Sequence, residues 1–481
     1  MVLACALAGG LGSAAGATHA WLVAGEPDAR SPDNRSAATT LWLAETLRGL
    51  PGGSSTQTFT ADPTPEVIET RPGGKATDGQ AALQPLARVF GQQAFNAVSG
   101  RRFRIGSTLA GARADTLSAA LDKDFATLGT ADRGLLVYTG PGLSDAADSA
   151  GNTLRLWDNT GLSVRELDAL ASHVPANTPM RFVLSQCHSS GFQRLIRPSA
   201  RDLRSLGRHN RCAFTAEPVD HLGTGQRCPA GGADPGSGDY TTQLFSALTG
   251  RTRTGSPLLR SADLDGNRVV SLHEAHLYAV IEGDSAELPR ASTETYLERW
   301  QPVWLRYVDT VTEPDNEYGR VSMALAERLR LPLRGRALVD ALETRQKEMT
   351  GRLHRLVEES QRVGAEIDRL QATLRRALTQ RWPAAAHPHT AAYAQFLAND
   401  VGVAQNFLLG QTATYPVLVA KQDRLVRIAQ EQQTLDRSLT QLDKLMRLRQ
   451  LARLQAQFDR HASAQAQQEY ARLTRCERLP L

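Results

Sequence analysis

Cysteine, aromatic residues and long apolar runs are all scarce in this chain. Five Cys in 481 residues are too few for a scaffold held together by disulfides, and none stand at zinc-finger spacing. Aromatics amount to 6%, and no basic motif is flanked by them. Like charges never gather into a block. Arg is spread along the chain and the net charge is +5, which argues against nucleic acid as a partner. After the opening segment no apolar stretch reaches the length of about 18 residues that a bilayer span requires, so no membrane span is expected.

What is present is ordinary for a folded protein: 41% hydrophobic and 22% charged residues. At about 100–200 residues per domain, the length implies two or three folding units. Plentiful Ala, Arg and Leu favour helix. The first residues, MVLACALAGGLGSAAGATHA, are small and apolar with A-x-A patterns. They read as the apolar and cleavage regions of an export signal spanning residues 1–17, without the usual basic start. In an oxidising compartment Cys212 and Cys228, sixteen positions apart in similar Arg-Cys contexts, are candidates to close a loop worth about 3 kcal/mol. Two free thiols are the alternative.

Residues 18–310 alternate apolar runs with amphipathic patterns. HAWLVAG (19–25), STQTFTA (55–61), GLLVYTG (134–140), RFVLSQC (181–187) and CAFTAEP (212–218) read as strands. SAATTLWLAETLRGL (36–50), ADTLSAALDKDFATL (114–128), SVRELDALASHV (163–174) and DYTTQLFSALTG (239–250) read as helices, the third opened by a Ser163/Glu166 capping box and the last closed by Gly250. The Pro- and Gly-rich stretch 62–110 gives no clear pattern and reads as an insertion or surface loop. Strands separated by helices predict an α/β fold with a mainly parallel sheet flanked by helices.

From 316 to 480 the chain becomes polar and helical. Leu342, Met349, Leu356, Val363 and Leu370 recur every seven residues, and Leu353, Ile367 and Leu374 lie four beyond members of that series. These are a and d positions of a coiled-coil seam. A second such stretch, 418–458, follows a Pro-containing break at 382–389 and a shorter helix. The pattern fits an antiparallel hairpin or small bundle, and equally self-association, or binding of a partner helix, through 338–458.

In open α/β sheets, function gathers at the carboxyl ends of the strands. One strand here ends Tyr138-Thr139-Gly140-Pro141-Gly142, and another ends Ser185-Gln186-Cys187-His188-Ser189-Ser190-Gly191. The order LLVYTGPG, helix, VLSQCHSSG resembles the caspase-like (clan CD, legumain-type) cysteine peptidases, whose secreted bacterial members carry a His-Gly after one strand and a Cys after the next. HAWLVAGEPDARSPDNRSAATTLWL is similar to the family's first strand and helix. The resemblance covers most of 18–300 and implies a caspase–haemoglobinase-like fold, a periplasmic or secreted bacterial protein, and a protein or peptide as substrate or partner. It makes Cys187 the nucleophile and the Gly142 N–H an oxyanion donor. The residue before Gly142 should be the histidine base, and it is Pro141. A catalytically impaired homologue or pseudopeptidase follows. The alternatives are an active endopeptidase with His221 as substitute base, and a structural helical scaffold carrying an α/β head. His188 is adjacent to Cys187 but should point away from it, and His173 reads as structural. Without the resemblance, Cys187 reads as a small buried hydrophobe at a strand end.

Asp263-Leu264-Asp265-Gly266-Asn267-Arg268-Val269-Val270-Ser271-Leu272-His273-Glu274 places oxygen ligands as an EF-hand loop does. Asp263, Asp265, Asn267, Ser271 and Glu274 would supply side chains, and Val269 a carbonyl. Calcium is the ion such a set suits. Arg268 stands where glycine normally permits the sharp turn, and no helical pattern precedes the loop. The alternative is an Asp/Asn-rich turn capping a helix.

Overall fold

The structure, a computed structural model, describes residues 16–25, 35–50, 54–60, 66–72, 78–90, 98–104, 108–197, 206–219, 221–222, 239–300, 314–387 and 390–481. The expected export signal lies almost wholly outside them, as do Cys5 and Cys228.

Strand and helix alternate through the first part: β1 (Thr18–Ala24), α1 (Arg35–Arg48), β2 (Ser54–Thr60), β3 (Glu66–Pro72), α2 (Asp78–Phe90), β4 (Val98–Arg104), β5 (Thr108–Gly111), α3 (Ala114–Thr127) and β6 (Arg133–Thr139). Short strands β7 (Gly142–Leu143), β8 (Thr153–Arg155) and β9 (Gly161–Ser163) lead to α4 (Val164–Ala171), β10 (Met180–Leu184), β11 (Arg211–Pro218), α5 (Tyr240–Thr249), α6 (Leu272–Glu282), β12 (Glu287–Ala291) and α7 (Ser292–Trp300). One seven-stranded sheet runs in the order β12-β11-β10-β6-β1-β2-β5, parallel except for β12.

The apolar runs become strands because both faces of this sheet are covered. Successive side chains take opposite faces. Trp21, Val23, Leu136, Tyr138 and Phe182 pack with Phe125 of α3 and Leu167 of α4. Ala20, Leu22, Leu135, Val137 and Val183 pack with Leu43 of α1, Phe245 of α5 and Ala275 of α6. The capping box at α4 forms as expected, and Gly250 ends α5 with φ 68°. The stretch that gave no clear pattern holds an antiparallel pair, β3 with β4, helix α2, and strand β5.

The C-terminal region is helical: α8 (Glu317–Arg328), α9 (Gly335–Arg381), α10 (Ala391–Asn399), α11 (Val401–Gln411), α12 (Thr414–His461) and α13 (Ala464–Arg478). α9 and α12 form an antiparallel hairpin, braced by ion pairs Arg352–Glu431, Glu359–Arg424 and Glu366–Lys421. The seam residues Leu353, Val363, Ile367 and Leu374 meet Leu418, Ile428 and Leu435 of the same chain. The surface that a self-associating coiled coil would use is thus filled internally.

The base of the hairpin shares a core with the α/β head: Leu277, Tyr296 and Leu297 pack with Leu338, Leu442, Leu451 and Phe458. A disulfide joins Cys212 of β11 to Cys476 of α13 across 264 positions. Neither reading of Cys212, paired with Cys228 or a free thiol, holds. α13 packs on β11, so the thiol nearest in space is far away in sequence.

Candidate functional site at the strand ends

β6 and β10 lie side by side, parallel, with Tyr138 opposite Leu184. Beyond β6 the backbone turns at Gly140, whose φ of 152° and contact with Gly25 leave no room for a side chain. The Tyr138 hydroxyl reaches the carbonyl oxygens of Pro141 at 2.7 Å and Arg155 at 2.6 Å, pinning the turn. Gly142 then lies directly on the chain leaving β10. A Cβ there would stand 2.2 Å from the Cys187 carbonyl oxygen. Pro141, Gly142 and Cys187 therefore share one junction, as their places in the sequence suggest.

Cys187 itself is 4% exposed and disulfide-bonded. The expectation of a free nucleophile is corrected: this sulfur is neither a thiol nor open to solvent. His188 diverges from it, as consecutive residues do at a strand end. It adopts φ 60° and faces the end of β11, where its Nδ1 stands 3.5 Å from Glu217 Oε1. Ser190 donates a short hydrogen bond to the same carboxylate. Asn152 ties the two loops together, donating to the His188 carbonyl at 3.0 Å and accepting from the Asp145 N–H at 3.0 Å. The buried side chains of Gln186 and Ser189 find no partner among the described residues.

His221 faces the hairpin. Its Nε2 lies 2.8 Å from Asp443 Oδ2 and its Nδ1 3.8 Å from Asp436, both on α12. It belongs to the joint between head and hairpin. His173 pairs with Asp122 at 2.6 Å, on the surface.

The loop 263–274 is folded tightly around its acidic side chains. Asp263 accepts the N–H groups of Gly266, Asn267 and Arg268, and Asp265 that of Asn267. Glu274 caps α6 by accepting from the Ser271 N–H and hydroxyl, and also takes the N–H groups of Leu264 and Asp265. Oxygens of Asp263, Asp265 and Glu274 lie within 4.8 Å of one another, a spacing at which one cation can touch all three. Asp265, Asn267, Val269, Ser271 and Glu274 also line a concavity of about 210 Å³ with Arg478 and Pro480. Arg268 takes φ 68°, the left-handed turn expected of this position, so Arg bears the strain that glycine would avoid.

Ionic networks join head to hairpin. Glu294, fully buried, accepts from His276 and from Arg447 of α12. Burial works against its charge, but Arg447 and His276 outweigh that and hold it well below the usual carboxylate range. Arg181, buried in β10, donates to the carbonyls of Leu479 and Pro480, and burial lowers its pKa to about 9. Arg447 stands 153 positions from Glu294, and no local pattern announces such a pairing.

Fold and junction together define a mixed α/β protein: a mostly parallel seven-stranded sheet flanked by helices, followed by a helical C-terminal region. No protein-family model and no curated protein matches the chain. A crystal structure of a Geobacter sulfurreducens protein, a structural-genomics target, is similar over 57% of this chain and 92% of its own, at 13% identity and a TM-score of 0.27. That likeness is too slight to carry argument.

Proposed function

We propose that this chain is a caspase-like cysteine peptidase homologue, exported from a bacterial cell, that acts as a binding or regulatory module without hydrolysing peptides. The observation that carries this reading is the junction itself: Pro141 precedes Gly142, Gly142 rests on the Cys187 carbonyl, and Cys187 is buried in a disulfide. Peptide cleavage by cysteine needs a thiolate and a group to protonate the leaving amine. A disulfide sulfur and a proline ring supply neither. Oxidised cysteines support a compartment outside the reducing cytoplasm. The active alternative would need His221 as its base, and the Nε2 of that ring is turned to Asp443 of α12.

Without reductant, the full-length protein is expected to leave Cys187 unlabelled by an irreversible thiol-directed peptidyl probe and to cleave no member of a mixed peptide library. Turnover that disappears in Cys187→Ala would overturn the reading. With reductant present, Pro141→His is the variant in which turnover should first appear.

The ion we propose for loop 263–274 is calcium, on the strength of its all-oxygen ligand set. Titration calorimetry should show one calcium bound per chain, with binding lost in Asp263→Ala. Heat that is unchanged in that variant would rule the loop out.

A further inference from the structure

The far end of the hairpin differs in composition from the rest of the chain. Between Trp382 and Ala420 only Asp400 carries a formal charge, in a protein whose residues are 22% charged. This segment comprises α10, α11 and the start of α12. Part of its apolar surface is used internally, where Phe396, Ala404, Leu408 and Tyr415 are buried. The rest faces outward. Val403 is 53% exposed, Leu409 58% and Val417 46%, with Val426 at 56% two turns further along α12.

Cations surround this end. Of the seven Lys or Arg from Arg369 to Arg427, Lys421 and Arg424 are paired across the hairpin with Glu366 and Glu359, which leaves five Arg against Asp400 and Asp423. Arg376 and Arg381 on the last turns of α9, and Arg427 on α12, are exposed. Arg381 lies over the rings of Trp382 and Phe407 at 5.1 Å and 5.7 Å, so it borders the apolar surface directly.

An uncharged apolar end inside a cationic collar is complementary to an anionic lipid surface. Exposed Val and Leu gain by entering the boundary between headgroups and acyl chains, while guanidinium groups meet phosphates. A second copy is a poorer match, since two cationic collars would be brought together. No described helix is long and apolar enough to cross a membrane, so the contact is interfacial. We propose that the hairpin tip docks on anionic bilayers. α2 packs against α9 and α11 near this end, where Gln371 and Gln422 donate to the Arg88 carbonyl, so docking would bring α2 close to the lipid. This inference does not depend on the peptidase-like reading of the head.

The test is flotation of the full-length protein with phosphatidylcholine vesicles, with and without phosphatidylglycerol. Co-flotation is expected with the anionic vesicles alone and should weaken as salt rises. The double variant Val403→Asp, Leu409→Asp should reduce it by at least about tenfold, and Arg376→Glu, Arg427→Glu by a similar factor. Unchanged circular dichroism and melting would show that both variants still fold. If the aspartates unfold the tip, Leu409→Ser serves instead. Failure to float with either vesicle overturns the proposal, as does flotation that neither variant reduces. Sedimentation showing a dimer that Leu409→Asp dissolves, without vesicle binding, would assign the tip to self-association.

Discussion

At Glu287, burial works against ionisation. The carboxylate accepts from the Tyr240 N–H and the Ser285 hydroxyl, yet desolvation, reinforced by the nearby Asp239 charge, raises its pKa from 4.5 to about 7. Lys444 is an incomplete counterweight, because burial also lowers its own pKa, to about 8. A carboxyl group whose folded pKa lies above its unfolded value holds its proton longer in the native state. Its stabilising share is therefore complete below pH 4.5, declines as pH rises towards 7, and stays lost above that. Glu287→Gln should gain stability over the parent across that window and level off beyond it, read as the difference in urea midpoints. A difference that does not vary with pH would contradict this. The sequence could show where Cys187 and His221 lie relative to the strand ends, but not their chemical state. His221 finds Asp443 across 222 positions, and the oxidation of Cys187 depends on which other thiols packing leaves over.

Among the elements, those with a strong local period were the readable ones. β1, β6 and β10 are continuous apolar runs, and the seven-residue spacing of α9 survives in the packed seam. The antiparallel β3–β4 pair was missed because EVIETRP and VSGRRFR have no sustained alternation of apolar and polar residues. Within the hairpin, apolar and ionic contacts should differ sharply in weight. Leu353 is fully buried, so Leu353→Ala should cost about 2–5 kcal/mol. Arg424→Ala removes an ion pair whose side chains are 40% and 31% exposed and should cost less than about 1 kcal/mol. Urea denaturation of the two variants separates these outcomes. Comparable losses would mean that the seam does not dominate the hairpin's stability.

For the molecule as a whole, the joint between head and hairpin matters more than either part alone. The Cys212–Cys476 bond closes a path of 264 residues, and its removal by Cys476→Ser should cost about 2–5 kcal/mol. Limited proteolysis should then release α13 before the head is cut. Simultaneous loss of both would show that the joint does not open by itself. None of this could be read from the sequence, where Arg181, Cys212 and Glu294 are isolated residues whose partners across the joint lie more than a hundred positions away.

Arg181 makes the sheet answerable to a distant segment. Its guanidinium lies in the middle of the sheet and depends on two carbonyls at positions 479 and 480. Within the sheet it has one long contact, to the Gly134 carbonyl at 3.4 Å, so most of its hydrogen bonding comes from the segment that follows α13. A cut in the chain between α13 and Leu479 would strand a cation inside the sheet with a single acceptor.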